Sequence, residues 1–448
     1  MVANSTNNIF TKKIDIQRAA VNTIFAAMLF AGILFLHYNR PVLYMGLIME
    51  DYWGEYATFV CYMLAFAFPF WGAVKNKNLR KPGYLILALT MFVIGMEEIS
   101  WGQRVFNFET PYRIAKLNLQ SELTIHNMID NDIPIHNIFF YAVVIWGFIL
   151  PLFLRFNNRF SSLAQQWGIP KVAAYDLPYF IISLAFFVFH PVIKSDEIQE
   201  MLLAYAFASF SKNLFFNLFG DATSPLRIFI LRKIVLSLVV ITMTGALVSQ
   251  AGVTIPRIRD QFSGQIHWFA STKYPERGLY RQAEQLFDYI LQDKDLIKDT
   301  TLVQFGILLV EMKSRRAESI LSQALDNINE MEKTKTNDQN LVRTKGVILK
   351  LLGQRSQAQV EFQKSIAIDL KRLENDSRDS EKPWITLSMA KTYIVMEDYE
   401  SALPLLKEIL NLAPPGSEKL KARDFKYQLE KQKTISFKQY LNLLRQLY

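Results

Sequence analysis

The sequence predicts an all-α chain in two parts: a polytopic membrane bundle of about seven helices over residues 1–250, and a helical repeat solenoid over residues 275–448, joined by a linker at 251–274. Three observations lead there. Nearly all the long apolar runs fall between residues 19 and 250. Beyond residue 250 the chain turns charged, holding 31 of the 50 Lys+Arg and 26 of the 41 Asp+Glu. In that charged part, small residues recur at helix starts with the spacing of stacked hairpins.

A helix needs about 20 apolar residues to cross a bilayer. The first candidate, Ala19 to Tyr38, follows a polar start with Lys12, Lys13 and Arg18 and has no small-x-small cleavage site after it, so it reads as a retained span. The others are Tyr56–Val74, Tyr84–Arg104, Ile135–Leu154, Ala174–Ile193, Glu200–Leu218 and Arg227–Val248. With the N-terminus inside, the inner connections hold 13 Lys or Arg and the outer ones five. The positive-inside rule then puts the N-terminus in the cytoplasm and the charged part outside it, as in a bacterial inner-membrane protein. Twelve of the 15 acids of the first part fall on the outer side. The inner halves of the spans carry almost no charge beyond Asp176, which argues against a transport path.

Composition excludes other classes. The net charge of +9 is shared between the parts, and no basic patch interleaves with aromatics, so nucleic acid is not an expected partner. Cys61 is the single cysteine, which rules out internal disulfides and thiolate metal sites. Gly-rich phosphate loops, a nucleophile elbow and nucleotide motifs are missing.

Residues 95–104, Gly-Met-Glu-Glu-Ile-Ser-Trp-Gly-Gln-Arg, are the most informative stretch. The apolar run that precedes them is too short to span alone, so a spanning helix must continue through Glu97, Glu98, Ser100, Gln103 and Arg104. At 100° per residue, Glu97, Ser100, Trp101 and Arg104 share a face, with Glu98 flanking Trp101. Ionisable groups at that depth face a protein interior or a wet cavity. Two readings stand: a buried polar site, or a helix that ends at Met96 and continues along the interface.

The outer loop 107–134 is long for a bundle connection. Glu122, His126 and Asp130 recur at i, i+4 and i+8, and Glu98, Glu122 and His126 form a candidate set for a divalent metal. The same spacing also suits a plain amphipathic helix. Glu50 and Glu55 precede the second span, His190 ends the fifth, and Glu197 and Glu200 open the sixth. Carboxylates and imidazoles thus arrive at one leaflet from four connections. They could act as general acid or base, with Arg104 holding a phosphate or carboxylate. A polar clamp that only locks the helices together is the structural alternative.

The segment Glu97 to Arg104, with Glu122, His126-Asn127, Glu50 and Glu55, resembles an uncharacterised family of bacterial polytopic membrane proteins. That resemblance implies a site but no reaction. The chain is also similar to alkaline-ceramidase-like membrane hydrolases in its seven spans, but departs from them in lacking a paired His-xxx-His in a late span.

Over residues 275–416 the chain resembles tetratricopeptide repeats. Ala283, Ala317, Ala358 and Ala402 open second helices, and Pro414-Pro415 closes a unit. Such arrays offer a concave surface to protein segments. The tail, 417–448, reads as one or two capping helices.

Two functions follow. One is an outer-leaflet enzyme or carrier for a lipid or lipid-linked substrate, of hydrolase or transferase type. Its catalytic core is Glu97, Glu98, His126 and Arg104; Glu50, Glu55, Trp101, Gln103, Glu122, Asn127, His190, Glu197 and Glu200 bind, and the repeats hold a protein partner. The other is a non-catalytic membrane scaffold whose repeats recruit envelope proteins.

Overall fold

The computed structural model describes residues 2–49, 52–75, 82–103, 110, 140–141, 143–217, 225–254, 257–375, 381–412, 422–423, 425–427, 429–430 and 436–447. Only the backbone is described for 2–14, 155, 250–254, 257–261, 437–438, 442 and 446–447. Among these residues the chain is all-helical, with no strand. It divides into two compact units, 1–265 and 266–448, and the division falls inside the segment read as a linker, which is helical over Arg257–Trp268.

The first unit contains α1 (Val2–Asn39), α2 (Pro41–Ile48), α3 (Trp53–Lys75) and α4 (Pro82–Glu98). A π-helical turn at Ile145–Ile149 then runs into α5 (Leu150–Phe156), followed by α6 (Asn158–Trp167), α7 (Leu177–Phe189), α8 (Ser195–Phe216) and α9 (Leu226–Thr254). Prolines open α2, α4 and α7, where a missing amide donor costs nothing. Asn157 caps α6 by accepting from Phe160 N at 3.2 Å, and Gly168 ends it in the left-handed region.

Helix α3 is the hub, packed against α8, α4, α9 and α2. Its core is aromatic: Tyr62, Tyr179, Phe180, Phe207 and Phe210 gather around Trp146, which stacks on Phe207 at 5.4 Å between centroids. Glycine permits the tightest approaches. A Cβ on Gly54 would fall 2.0 Å from Leu47 O, and one on Gly95 would fall 2.6 Å from Met63 Cε. The outward face is apolar too, with Met28, Leu43, Ile86, Leu89, Phe189 and Ile241 all exposed.

Among the described residues, two helical stretches, Asp15–Asn39 and Trp53–Lys75, are long and apolar enough to cross a membrane. Helix α7 has 13 residues and α4 has 17, short of the usual 20. The third expected span therefore requires correction: the helix stops at Glu98, not Arg104.

The second unit holds α11 (Tyr280–Gln292), α12 (Thr301–Glu311), α13 (Arg316–Thr334), α14 (Gln339–Leu351), α15 (Arg355–Asn375), α16 (Lys382–Met396), α17 (Tyr399–Leu412) and α18 (Phe437–Leu447), after α10 (Arg257–Trp268). From α11 to α17, each helix packs on the next. Among the described residues, five turns of this unit each contain one left-handed residue, at Gly278, Lys313, Asn337, Gly353 and Glu397. The helix packing recurs as well: Gly306 lies under Leu321, and Gly346, forty residues on, lies under Phe362. Ala283, Ala358 and Ala402 are buried as expected, whereas Ala317 is only half-buried and Ala324 takes the core position in α13.

The tail does not simply cap the end of the array. Helix α18 packs on α12, on α16 and on the π-helical turn Phe269–Lys273. It buries Tyr440, Leu441, Leu443 and Leu444, and Arg445 pairs with Glu311 at 2.6 Å in a shielded position. The Tyr280 hydroxyl donates to the same Glu311 at 2.7 Å, and the Tyr440 hydroxyl donates to Val395 O at 2.9 Å.

Candidate functional site

Glu97 and Glu98 are the last two residues of α4. After Ile99 the backbone enters the left-handed region for three residues: Ser100 (φ 48), Trp101 (φ 55) and Gly102 (φ 80). That conformation costs an L-residue about 1–2 kcal/mol, so Ser100 and Trp101 hold a strained turn, closed by Gly102 N donating to Ile99 O at 2.8 Å. The turn folds Trp101 back, and its Nε1 donates to Glu97 Oε1 at 2.5 Å. Glu97 and Trp101 do meet, therefore, but through a reversal of the chain and not through a shared helix face. Gln103 Nε2 donates to Thr110 Oγ1 at 2.6 Å.

Around Glu98 the unit gathers carboxylates. Glu200, Glu55, Glu197 and Glu97 are all close enough to act on it electrostatically, Glu200 most strongly. They come from three helices: Glu55 from the first turn of α3, Glu97 and Glu98 from the end of α4, and Glu197 and Glu200 from the start of α8. Tyr62 sits beneath, fully enclosed and within reach of Glu98 and Glu200. Gly95, one turn before Glu98, makes this possible, because a Cβ there would also fall 3.0 Å from Tyr62 Cβ. On α8, Lys194 pairs with Glu197 at 3.0 Å. The connection into α8 is strained like the turn after α4, with His190 (φ 42) and Lys194 (φ 54) both left-handed.

His190 is exposed, its ring 6.3 Å from that of Phe187. Glu50, Arg104, Glu122, His126 and Asn127 lie outside the described residues. So do two of the three candidate metal ligands. Among the described residues, no three His, Cys, Asp or Glu are close enough to chelate an ion. The carboxylates share a neighbourhood without forming a cage.

An apolar cavity of about 310 Å³ runs beside α4, lined by Gly83, Leu87, Thr90, Met91, Trp146 and Phe207. It stops about 10 Å short of Glu98 along the helix axis.

The expectation that the inner halves carry almost no charge is corrected. Arg18, Lys212 and Lys233 are buried with Asp176 at the opposite end of α7, α8 and α9. The lysines look in sequence like positive residues at the membrane surface, and only tertiary packing reveals their burial. The available signals were Lys233, about two turns inside an apolar helix, and Lys212, inside the expected sixth span.

Comparison with known proteins yields no match to a family model, to a curated protein or to a solved structure.

Proposed function

We propose that the chain is a multi-pass membrane protein of about seven spans whose non-cytoplasmic end acts on a lipid or lipid-linked substrate, with the second unit as an extracytoplasmic solenoid that holds a protein partner. The observation that carries this reading is the gathering of Glu55, Glu97, Glu98, Glu197 and Glu200 from three helices. Packing like charges together opposes folding and is retained where function needs it. Strained turns on both sides of the cluster, at 100–102 and 190–194, support the reading, since strain concentrates at functional sites. The apolar girdle and the cavity along α4 supply surfaces for acyl chains. In this reading Glu98 and Glu97 exchange protons with the substrate, His126 assists, and Arg104 holds an anionic group. A divalent metal shared by Glu98, Glu122 and His126 is the cofactor to look for. The spans beyond the two long ones come from α4, the helical stretch at 143–156 that ends in α5, α7, α8 and α9; α9 has no charged residue from Ile234 to Thr254.

The scaffold reading has its own support, because Glu97 is already held by Trp101 and Glu197 by Lys194. The variants Glu98→Gln and Glu200→Gln separate the two. Each removes a like charge from the cluster, so each is expected to unfold at a temperature equal to or above the parent's. The enzyme reading expects lipid turnover by the purified protein to fall by about 100-fold or more. Unchanged turnover in both variants would leave the scaffold.

A further inference from the structure

Helix α18 crosses the array of the second unit and touches the last turns of three of its helices. The Arg445 guanidinium meets Glu311 of α12 at 2.6 Å. The Tyr440 ring lies under Lys350 Nζ of α14 at 4.3 Å, and the Tyr440 hydroxyl donates to Val395 O of α16 at 2.9 Å. After each of these ends the chain passes through a left-handed residue, Lys313, Gly353 or Glu397, into the second helix of a hairpin. The seat of α18 is therefore a row of three equivalent helix ends.

The sequence of α18 suits such a seat. By helical spacing, Leu443, Tyr440, Leu444, Leu441 and Arg445 succeed one another over about 200° of the helix. All five are buried. The polar positions 438, 439, 442 and 446 take the remaining arc. An isolated helix of 11 residues is marginal in water, so the order of α18 depends on the surface it lies on. The array has its own continuity, because from α11 to α17 each helix packs on the next.

The polar anchors of the seat specify what fills it. The Glu311 side chain is 7% exposed, and its other partner among the described residues is the neutral Tyr280 hydroxyl at 2.7 Å. So shielded a carboxylate calls for a cation from the occupant. Val395 O lies in the final turn of α16, where helix carbonyls lack an amide partner from the helix itself. It accepts from Lys350 Nζ at 2.8 Å as well as from Tyr440. Lys350 also pairs with Glu397 at 2.7 Å, so its charge is met without α18. An empty seat would uncover one charge, on Glu311, and a strip of apolar surface.

We propose that this seat is the partner-binding surface of the second unit: the partner is an amphipathic helix with an aromatic residue five positions before a basic one, as Tyr440 stands to Arg445, and it binds by displacing α18. The proposal rests on the reading that the second unit holds a protein partner. Helix α18 is then a resident competitor, and the partner's apparent affinity falls with the fraction of seats that α18 fills. Apolar anchors on one face hold the incoming helix, and the charged pair fixes its register.

The test uses the full chain in detergent and a labelled peptide of residues 436–448 in place of the partner. Hydrogen exchange on the parent is expected to show the α18 amides opening about tenfold more often than those of α12, α14 and α16. Excess peptide is expected to strip protection from α18 and to leave the array protected. A chain ending at residue 435 is expected to bind the peptide about tenfold more tightly than the parent does. A peptide carrying Arg445→Glu is expected to lose that binding, and to regain it when the shortened chain carries Glu311→Arg. The proposal is overturned if α18 exchanges in step with α12, α14 and α16, or if the peptide leaves α18 protected. It is also overturned if the shortened chain loses protection throughout the array, which makes α18 part of the fold. The reading beneath it is judged separately, by cross-linking in native membranes. A protein captured more by the shortened chain than by the parent, and competed by the peptide, supports both. Equal capture that the peptide does not compete keeps the reading and overturns the proposal; no capture by either chain overturns the reading and the proposal with it.

Discussion

The imidazole of His267 is 5% exposed, and its Nε2 donates to Leu296 O at 2.8 Å. Burial holds its pKa below the ordinary value of about 6.5, Lys298 adds to the effect, and the Leu296 and Gln304 hydrogen bonds oppose it. The unfolded chain therefore takes up a proton at this residue before the folded one does. The contribution to stability is complete above about pH 6.5 and is lost as pH falls below that toward the folded pKa. Amide protection over residues 266–448, corrected for the intrinsic exchange rate, is expected to weaken as pH falls below about 6.5, with a smaller change in His267→Gln. Little at this scale could be read from sequence. Ser100 and Trp101 have side chains that favour right-handed or extended backbone, and nothing in their order announces a left-handed turn. The meeting of Glu97 with Trp101 was legible only as a helical spacing, and the turn achieves it by another route.

Helices and their faces were easier to read, because apolar periodicity is local. The alanines at 283, 358 and 402, singled out by their spacing, are all buried in helices of the second unit. Ala317 misled because α13 starts at Arg316, so that Leu321 meets α12 instead and Ala324 is the buried alanine. The hairpin turns hold a further consequence. Gly278 and Gly353 accept their left-handed conformation freely, but Lys313 (φ 54) and Glu397 (φ 66) do not. Glu397 is repaid by Lys350 at 2.7 Å, whereas Lys313 is exposed. Lys313→Gly removes about 1–2 kcal/mol of strain and adds about 0.5–1 kcal/mol of unfolded-state entropy. A small rise in the unfolding midpoint of the second unit is expected, read by denaturant titration; a fall would mean that the lysine makes contacts that outweigh its backbone strain.

On the scale of the whole molecule, the chain divides into two units between residues 265 and 266, about fifteen residues beyond the change from apolar to charged sequence near residue 250. Charge within the first unit was legible as a list of positions but not as an arrangement. Helix α8 shows why: its acids and its lysine lie at opposite ends, and each end is completed by helices far away in sequence. Orientation is open to a direct test, since Cys61 is the single cysteine and is 2% exposed. A cysteine introduced at Lys333, whose side chain is 67% exposed, is expected to react with an impermeant maleimide from the non-cytoplasmic side of sealed vesicles. One at Asp15 is expected to react from the cytoplasmic side only; the opposite pattern would invert the topology.

The return of α18 to α12 and α16 bears on how the second unit comes into being. An open array can consolidate hairpin by hairpin as it is synthesised. Here the segment that seats Leu441 and Leu444 and delivers Arg445 to Glu311 is synthesised after everything it stabilises. Until it arrives, the apolar seat on α12 and α16 stays uncovered, and maturation of the unit must wait for the chain to be released that far.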